Sequence, residues 1–138
     1  MILVGVDDTI TSLRAASYAG GLARRQGAKV TVVFVAPIAS LGAGTPGGAE
    51  LAAAQRESAR QTADGLRRRV EEASAELGIS ITFTAAEGDA YAEIRRIADE
   101  IRADAVVVGA SAKAGHRLIG SLAVRLVRAG RWPVTVVP

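Results

Sequence analysis

Two consecutive carboxylates, Asp7 and Asp8, directly follow the apolar segment Ile2–Val6 near the start of the chain. A carboxylate that leaves a buried strand has two common uses in proteins. It accepts hydrogen bonds from a ribose hydroxyl, or it accepts them from the free N–H groups that open the next helix. The second use needs no ligand, and this segment alone is compatible with both.

A second group of chemically useful residues lies at the other end of the sequence. It comprises three glycines, three basic side chains and a serine: Gly109, Gly115, Gly120, Lys113, His116, Arg117 and Ser121. Glycine lets the backbone approach an anion closely, and the N–H groups and dipole of a helix start favour phosphate. Because Gly-Ser is also an ordinary helix start, the segment predicts either a phosphate loop or a plain N-cap.

The remaining reactive residue types do not form a catalytic arrangement. The chain has one histidine and no cysteine, which excludes thiolate nucleophiles, disulfides and zinc–sulfur sites. His116 has no predicted carboxylate to orient it, and Ser121 has no base at a motif spacing. No G-x4-G-K-[ST] loop is present and no G-x-G-x-x-G follows the first strand, so neither a P-loop ATPase nor a dinucleotide dehydrogenase is expected.

Composition and charge narrow the class of protein further. The chain has 138 residues, of which 49% are apolar and 22% charged, enough to bury the core of one domain. Its net charge is +3, but the basic residues form no coherent stripe, because Arg67, Arg68 and Arg69 lie among acidic residues. We therefore expect no nucleic-acid partner. The apolar runs are too short to span a bilayer, and no leader is apparent, so we expect a cytoplasmic protein without membrane partners.

The elements that must position these residues alternate along the chain. Five runs rich in Val, Ile and Thr predict strands: Ile2–Val6, Lys29–Val35, Ile79–Ala85, Ala105–Gly109 and Pro133–Val137. Apolar residues at helical spacing lie between them: Leu13, Ala16, Gly20 and Ala23; Leu66, Val70, Ala73 and Leu77; Ile94, Ile97 and Ile101; Leu118, Leu122 and Leu126. This alternation predicts a layered α/β domain over residues 1–138 with a parallel sheet.

Turn residues predict where the helices begin and end. The expected ends are Thr11 or Ser12 as first cap, Gly27 and Gly78 after the first two helices, and Asp89 before the third. The segment Ala36–Gly48 is rich in Gly and Pro and predicts a flexible loop, either over the carboxyl edge of the sheet or disordered.

Several of these segments together resemble the universal stress protein family, over nearly the whole chain. The resemblance rests on the opening Ile2–Asp7, the pair Gly120-Ser121, and the terminal Trp132-Pro-Val-Thr-Val-Val-Pro138. It implies a Rossmann-like sandwich with a five-stranded parallel sheet of order 3-2-1-4-5. It also implies a homodimer in which last strands pair, through Val134, Thr135 and Val136, and a role in the stress response.

Family members that bind ATP use the first-strand aspartate, a valine ending the second strand and a glycine loop. By that likeness Asp7 holds the ribose, Val35 packs near the adenine, and Gly109 begins the loop that Gly120 and Ser121 end. The full nucleotide-binding set that the resemblance implies is Val6, Asp7, Val35, Gly109, Ser111, Lys113, Gly115, Gly120, Ser121 and Leu122. The sequence departs from the family loop in two respects: Ala112 replaces its second glycine, and Gly120 follows Gly109 by 11 positions, a shorter interval.

The resemblance therefore implies a stress-response regulatory domain that binds ATP or a related adenine nucleotide, with Mg²⁺ only as companion of the nucleotide. We expect no enzyme activity beyond slow ATP hydrolysis, because no base, arginine finger or pair of carboxylates for Mg²⁺ is placed at the loop. The alternative is a nucleotide-free interaction protein whose altered loop is structural. An enzyme of the adenine-nucleotide hydrolase type would need Asp8 or His116 as base or nucleophile.

Overall fold

A computed structural model of the chain describes residues 1–39, 47–110 and 120–138. Five strands and four helices alternate within these ranges: β1 (Ile2–Val6), α1 (Ile10–Gln26), β2 (Val30–Ala36), α2 (Gly48–Leu77), β3 (Ile81–Glu87), α3 (Ala90–Glu100), β4 (Ala105–Gly109), α4 (Ser121–Ala129) and β5 (Val134–Val137). All neighbouring strands are parallel, in the order β3-β2-β1-β4-β5. The α/β class and the strand order implied by the resemblance are confirmed.

The central strand β1 is buried along its whole length, because both of its faces are covered by helices. Its alternate residues Ile2, Val4 and Val6 pack with α1 and α2 on one face of the sheet. Leu3 packs with α3 and α4 on the other face. This three-layer arrangement leaves the ends of the strands as the places where a ligand can enter.

The first helix differs from the sequence expectation in its cap and in its buried stripe. Thr9, and not Thr11 or Ser12, is the N-cap, because its side chain accepts a hydrogen bond from the N–H of Ser12. The buried residues of α1 are Ser12, Ala15, Ala19, Gly20 and Ala23, whereas the predicted Leu13 and Ala16 are only partly buried. Small residues on this stripe let α1 lie close to β1 and β4.

The other predicted helix ends agree with the structure. Gly27 and Gly78 take the left-handed conformation after α1 and α2, and Asp89 caps α3 by accepting from the N–H of Ala92. The predicted loop Ala36–Gly48 is shorter than expected at both ends, because Ala36 still belongs to β2 and Gly48 already to α2. Its residues 40–46, and Leu118 of the predicted fourth stripe, lie outside the described residues. No helix described here has the length and apolarity needed to cross a membrane.

Candidate functional site

A cavity of about 400 Å³ opens at the carboxyl ends of β1, β2 and β4. Its walls also include residues from the start of α1, α3 and α4. The chain leaves β1 toward β2 on one side and later returns to β4 on the other, so the cavity lies where the strand order reverses. Open α/β sheets bind their ligands at this position. The cavity is also within the size range of small-molecule sites.

The turn between β1 and α1 carries the carboxylate of this cavity. Oδ1 of Asp7 accepts hydrogen bonds from the hydroxyl of Thr9 at 2.6 Å and from its N–H at 3.2 Å. The N–H of Asp7 donates to Oγ of the buried Ser12 at 3.2 Å, and that hydroxyl donates to the carbonyl of Thr9 at 3.0 Å. Among the described residues, none donates to Oδ2 of Asp7.

Gly109, at the end of β4, is required by packing before any ligand is considered. A Cβ at this position would lie 2.6 Å from the carbonyl carbon of Thr11 and 2.7 Å from the nitrogen of Ser12. Only glycine therefore allows the first turn of α1 to approach β4 so closely. Since Thr11 and Ser12 also line the cavity, this contact sets its shape.

The start of α4 lines the same cavity, and no described side chain caps it. Gly120 is the N-cap and has no side chain to accept from the first turn, while Ser121 is exposed and Leu122 half-buried. Both residues line the cavity with Gly120. The first N–H groups of a helix and the positive end of its dipole make such a wall suited to an anion.

An ion pair joins α4 to the start of α3 next to the cavity, without lining it. Asp89 precedes the lining residue Ala90 and pairs with Arg125 of α4 at 2.9 Å. The hydrogen bond from the Arg125 guanidinium, and secondly that from the N–H of Ala92, holds the pKa of Asp89 below its usual range. Among the described lining residues Asp7 is the one charged side chain. Within the same ranges, no three His, Cys, Asp or Glu side chains are grouped to hold a metal ion.

The structure brings seven residues of the predicted nucleotide set to this cavity: Val6, Asp7, Val35, Gly109, Gly120, Ser121 and Leu122. The other three, Ser111, Lys113 and Gly115, lie outside the described residues. The predicted interface residues are on strand β5, which forms the opposite edge of the sheet from β3. They are Val134, Thr135 and Val136, and their own chain partly buries them.

Sequence reasoning missed the apolar floor of the cavity and part of its α1 wall. The lining residues outside the predicted nucleotide set are Gly5, Thr9, Thr11, Ser12, Val33, Ala90, Ile94, Val108, Ala110 and Ala123. Strand periodicity contains a signal for one of them. Because Val35 was already assigned, the residue two positions earlier on the same strand and the same face, Val33, was the natural candidate.

A three-layer α/β domain with this strand order, and with a cavity where the order reverses, has a Rossmann-like fold. The sequence model of the universal stress protein family matches residues 1–138, so the chain belongs to that family. It is 29% identical to a universal stress protein of Methanocaldococcus jannaschii over 99% of this chain and 80% of that protein.

Solved structures of the same family share this fold. The universal stress protein UspA from Lactobacillus plantarum superimposes with a TM-score of 0.84 at 23% identity, covering 99% of this chain and 96% of that one. A universal stress protein from Archaeoglobus fulgidus, solved in complex with dAMP, gives a TM-score of 0.69 at 24% identity, covering 99% and 96%. Another, in complex with cAMP, gives 0.72 at 22% identity, covering 99% and 95%.

Proposed function

We propose that this protein is a stress-response regulatory domain that binds ATP or a related adenine nucleotide in the cavity at the carboxyl ends of β1 and β4. The observation that carries the proposal is that one cavity is lined both by Asp7 and by the start of α4 at Gly120, which no described side chain caps. Two universal stress proteins of the same fold, solved with cAMP and with dAMP, support the choice of an adenine nucleotide.

Each wall of the cavity suits one part of a nucleotide. Oδ2 of Asp7 accepts from the ribose hydroxyls, because Thr9 already occupies Oδ1. The first N–H groups of α4, from Ser121 and Leu122, donate to a phosphate. The apolar floor, which includes Val33 and Val35, faces the purine. Where Mg²⁺ accompanies the nucleotide, it is held by the phosphates.

We further propose a homodimer formed by the outer strand β5. Strand β4 hydrogen-bonds to one edge of β5, and the order of the sheet leaves the other edge of β5 unpaired within the described chain. An apolar edge of this kind favours pairing with a second copy. Bound nucleotide would then bias the dimer, or the surface it offers to a partner, and any hydrolysis would be slow.

A nucleotide-free interaction protein is the second candidate function. It is favoured by the contacts that Asp7 and Gly109 already make inside the protein. Asp7 organises the β1–α1 turn through Thr9, and Gly109 admits the backbone of α1. Both residues therefore have a structural reason to be present without any ligand.

Isothermal titration with ATP, ADP, AMP, cAMP and dAMP separates the two functions. We expect at least one of these nucleotides to bind. At 100 times its Kd, a bound nucleotide also raises the free energy of unfolding by about 2.7 kcal/mol. Asp7→Asn retains an oxygen for Thr9 but removes the charge, and we expect it to weaken binding at least about tenfold. Asp99→Asn is the matched control. Asp99 lies near the end of α3 that is remote from the cavity, so this variant should bind normally. Failure of all five nucleotides at millimolar concentration would favour the nucleotide-free candidate.

A further inference from the structure

Asp8 lies at the tip of the β1–α1 turn in a conformation that is uncommon for its residue type. Its φ of +62° is one of two positive values at non-glycine positions in the described chain. Asp tolerates this left-handed region better than most residues, but it does not favour it over the right-handed one. Because Asp8 directly follows Asp7, its φ determines the path by which the chain leaves the ligand-facing carboxylate and enters α1.

A side chain from a distant helix forms an ion pair with Asp8. Nη1 of Arg69 in α2 lies 2.7 Å from Oδ1 of Asp8, across 61 positions of sequence. The next residue along the helix, Val70, is buried in the core, so the backbone from which Arg69 projects is fixed. Arg69 is not among the residues that line the cavity.

The three consecutive arginines of α2 have different environments. Arg67 pairs with Asp64 at 2.9 Å and lies above the ring of Phe83. Arg68 is exposed and forms no ion pair with any described residue. Arg69 alone of the three reaches the turn beside the cavity. Arg68 therefore offers a neighbouring control of the same charge and helix propensity.

We propose that Arg69 is a positioning residue of the nucleotide site, acting through Asp8 on the carboxylate of Asp7. The inference rests on the proposed function. The ion pair keeps Asp8 in its left-handed conformation, which in turn keeps Thr9 in reach of Oδ1 of Asp7. Oδ2 of Asp7 is thereby directed to the ligand. Thr9 also remains the N-cap of α1, and the fold is the same with or without the ion pair.

The exposure of the pair determines the expected size of the effect. The side chains of Arg69 and Asp8 are 57% and 48% exposed, so solvent screens their attraction and their contribution to global stability is small. We therefore expect Arg69→Ala to leave the melting temperature nearly unchanged and to weaken AMP and ATP binding by about two- to fivefold.

Titration of AMP and ATP into Arg69→Ala and the matched Arg68→Ala is the first test. Weaker binding confined to Arg69→Ala supports the proposal, as does partial recovery in Arg69→Lys and a smaller difference from wild type in 1 M salt. Asp8→Gly loses the ion pair but adopts positive φ without the cost that a side chain imposes, so it should bind more tightly than Arg69→Ala. In an Asp7→Asn background the Arg69 substitution should have no further effect. Equal affinities for Arg69→Ala and Arg68→Ala would overturn the proposal.

A ligand-free measurement separates this inference from the proposed function. In the NMR spectrum of the apoprotein, a strong intraresidue amide–Hα contact reports the positive φ of Asp8, and the amide shift of Thr9 reports its bond to Asp7. We expect Arg69→Ala, but not Arg68→Ala, to change both. If wild type binds no nucleotide, the proposed function fails while this comparison still stands. If both signals are unchanged in Arg69→Ala, the positioning role fails whatever the protein binds.

Discussion

Arg125 of α4 and Asp89, the N-cap of α3, form an ion pair with two hydrogen bonds of 2.9 and 3.1 Å. The same guanidinium lies 4.3 Å from the ring centroid of Tyr91. Asp89 also accepts from the N–H of Ala92, so one carboxylate both caps α3 and binds α4. The pair therefore links two helices whose first turns form walls of the cavity.

Substitution of Asp89 separates its two roles. Asn is as good an N-cap as Asp, so Asp89→Asn removes the charge pair and retains the cap, whereas Asp89→Ala removes both. We expect the melting temperature to fall in the order wild type, Asn, Ala. Thermal unfolding followed by circular dichroism measures this order. Equal melting temperatures for the two variants would show that the cap contributes nothing here.

The acid dependence of stability follows from the same carboxylate. Arg125 first, and the N–H of Ala92 second, hold the pKa of Asp89 below its usual range, so between the folded and unfolded values the unfolded chain binds more protons. The contribution of Asp89 is complete above the unfolded value of about 3.9 and is lost as pH falls through the folded value. Urea unfolding of wild type and Asp89→Asn should therefore show a constant difference from pH 5 to 8 that disappears in stronger acid.

A methyl group should have opposite effects on stability when it is added at Gly109 and when it is added at Gly65. At Gly109 a Cβ would meet backbone atoms of α1 at 2.6 to 2.8 Å, so Gly109→Ala should destabilise the fold by about 1–3 kcal/mol and narrow the cavity. At Gly65, inside α2, an added Cβ would have no described atom within 4 Å apart from its own helix backbone, so Gly65→Ala should stabilise by about 0.5–1 kcal/mol. Urea denaturation measures both. A neutral Gly109→Ala would mean that α1 can move away without cost.

The strands could be predicted from the sequence, because buried parallel strands are short apolar runs. Their order was implied by the resemblance to the family. The helix starts were harder to predict. Thr9, Thr11 and Ser12 all carry hydroxyls, and the choice among them depends on how α1 lies against Gly109 and Asp7. Such a choice is tertiary, so local pattern could not decide it.

The long helix α2 shows a different limit of sequence reasoning. Its apolar stripe at Leu66 and Val70 predicted the half that packs on the sheet. The half that precedes Gln61 contributes only Gly48 to the buried residues, and pairs such as Arg60 with Glu57 lie along its surface. No hydrophobic periodicity marks that half. In the site, Asp7 and Gly120 were predictable from loop position, whereas Ile94 reaches the cavity through packing against Gly5.

A charge on the outer strand tests the proposed dimer. We expect wild type to sediment as a dimer at micromolar concentration and Val136→Lys as a monomer, because a lysine on an apolar edge opposes strand pairing. Thr82→Lys, exposed on the other outer strand β3, is the control and should remain dimeric. A far-ultraviolet spectrum shows whether Val136→Lys is folded, and Thr135→Lys is the alternative if it is not. A monomeric wild type would contradict the dimer.

The buried hydroxyl of Ser12 fastens the turn that carries Asp7. It accepts from the N–H of Asp7 at 3.2 Å and donates to the carbonyl of Thr9 at 3.0 Å. Because Ser12→Ala leaves that N–H without its partner, we expect a loss of about 1–3 kcal/mol in urea unfolding. Ser17→Ala is the control, since the hydroxyl of Ser17 is exposed and donates only to the carbonyl of Leu13 in its own helix. Equal small losses for both variants would show that the turn holds its shape without Ser12.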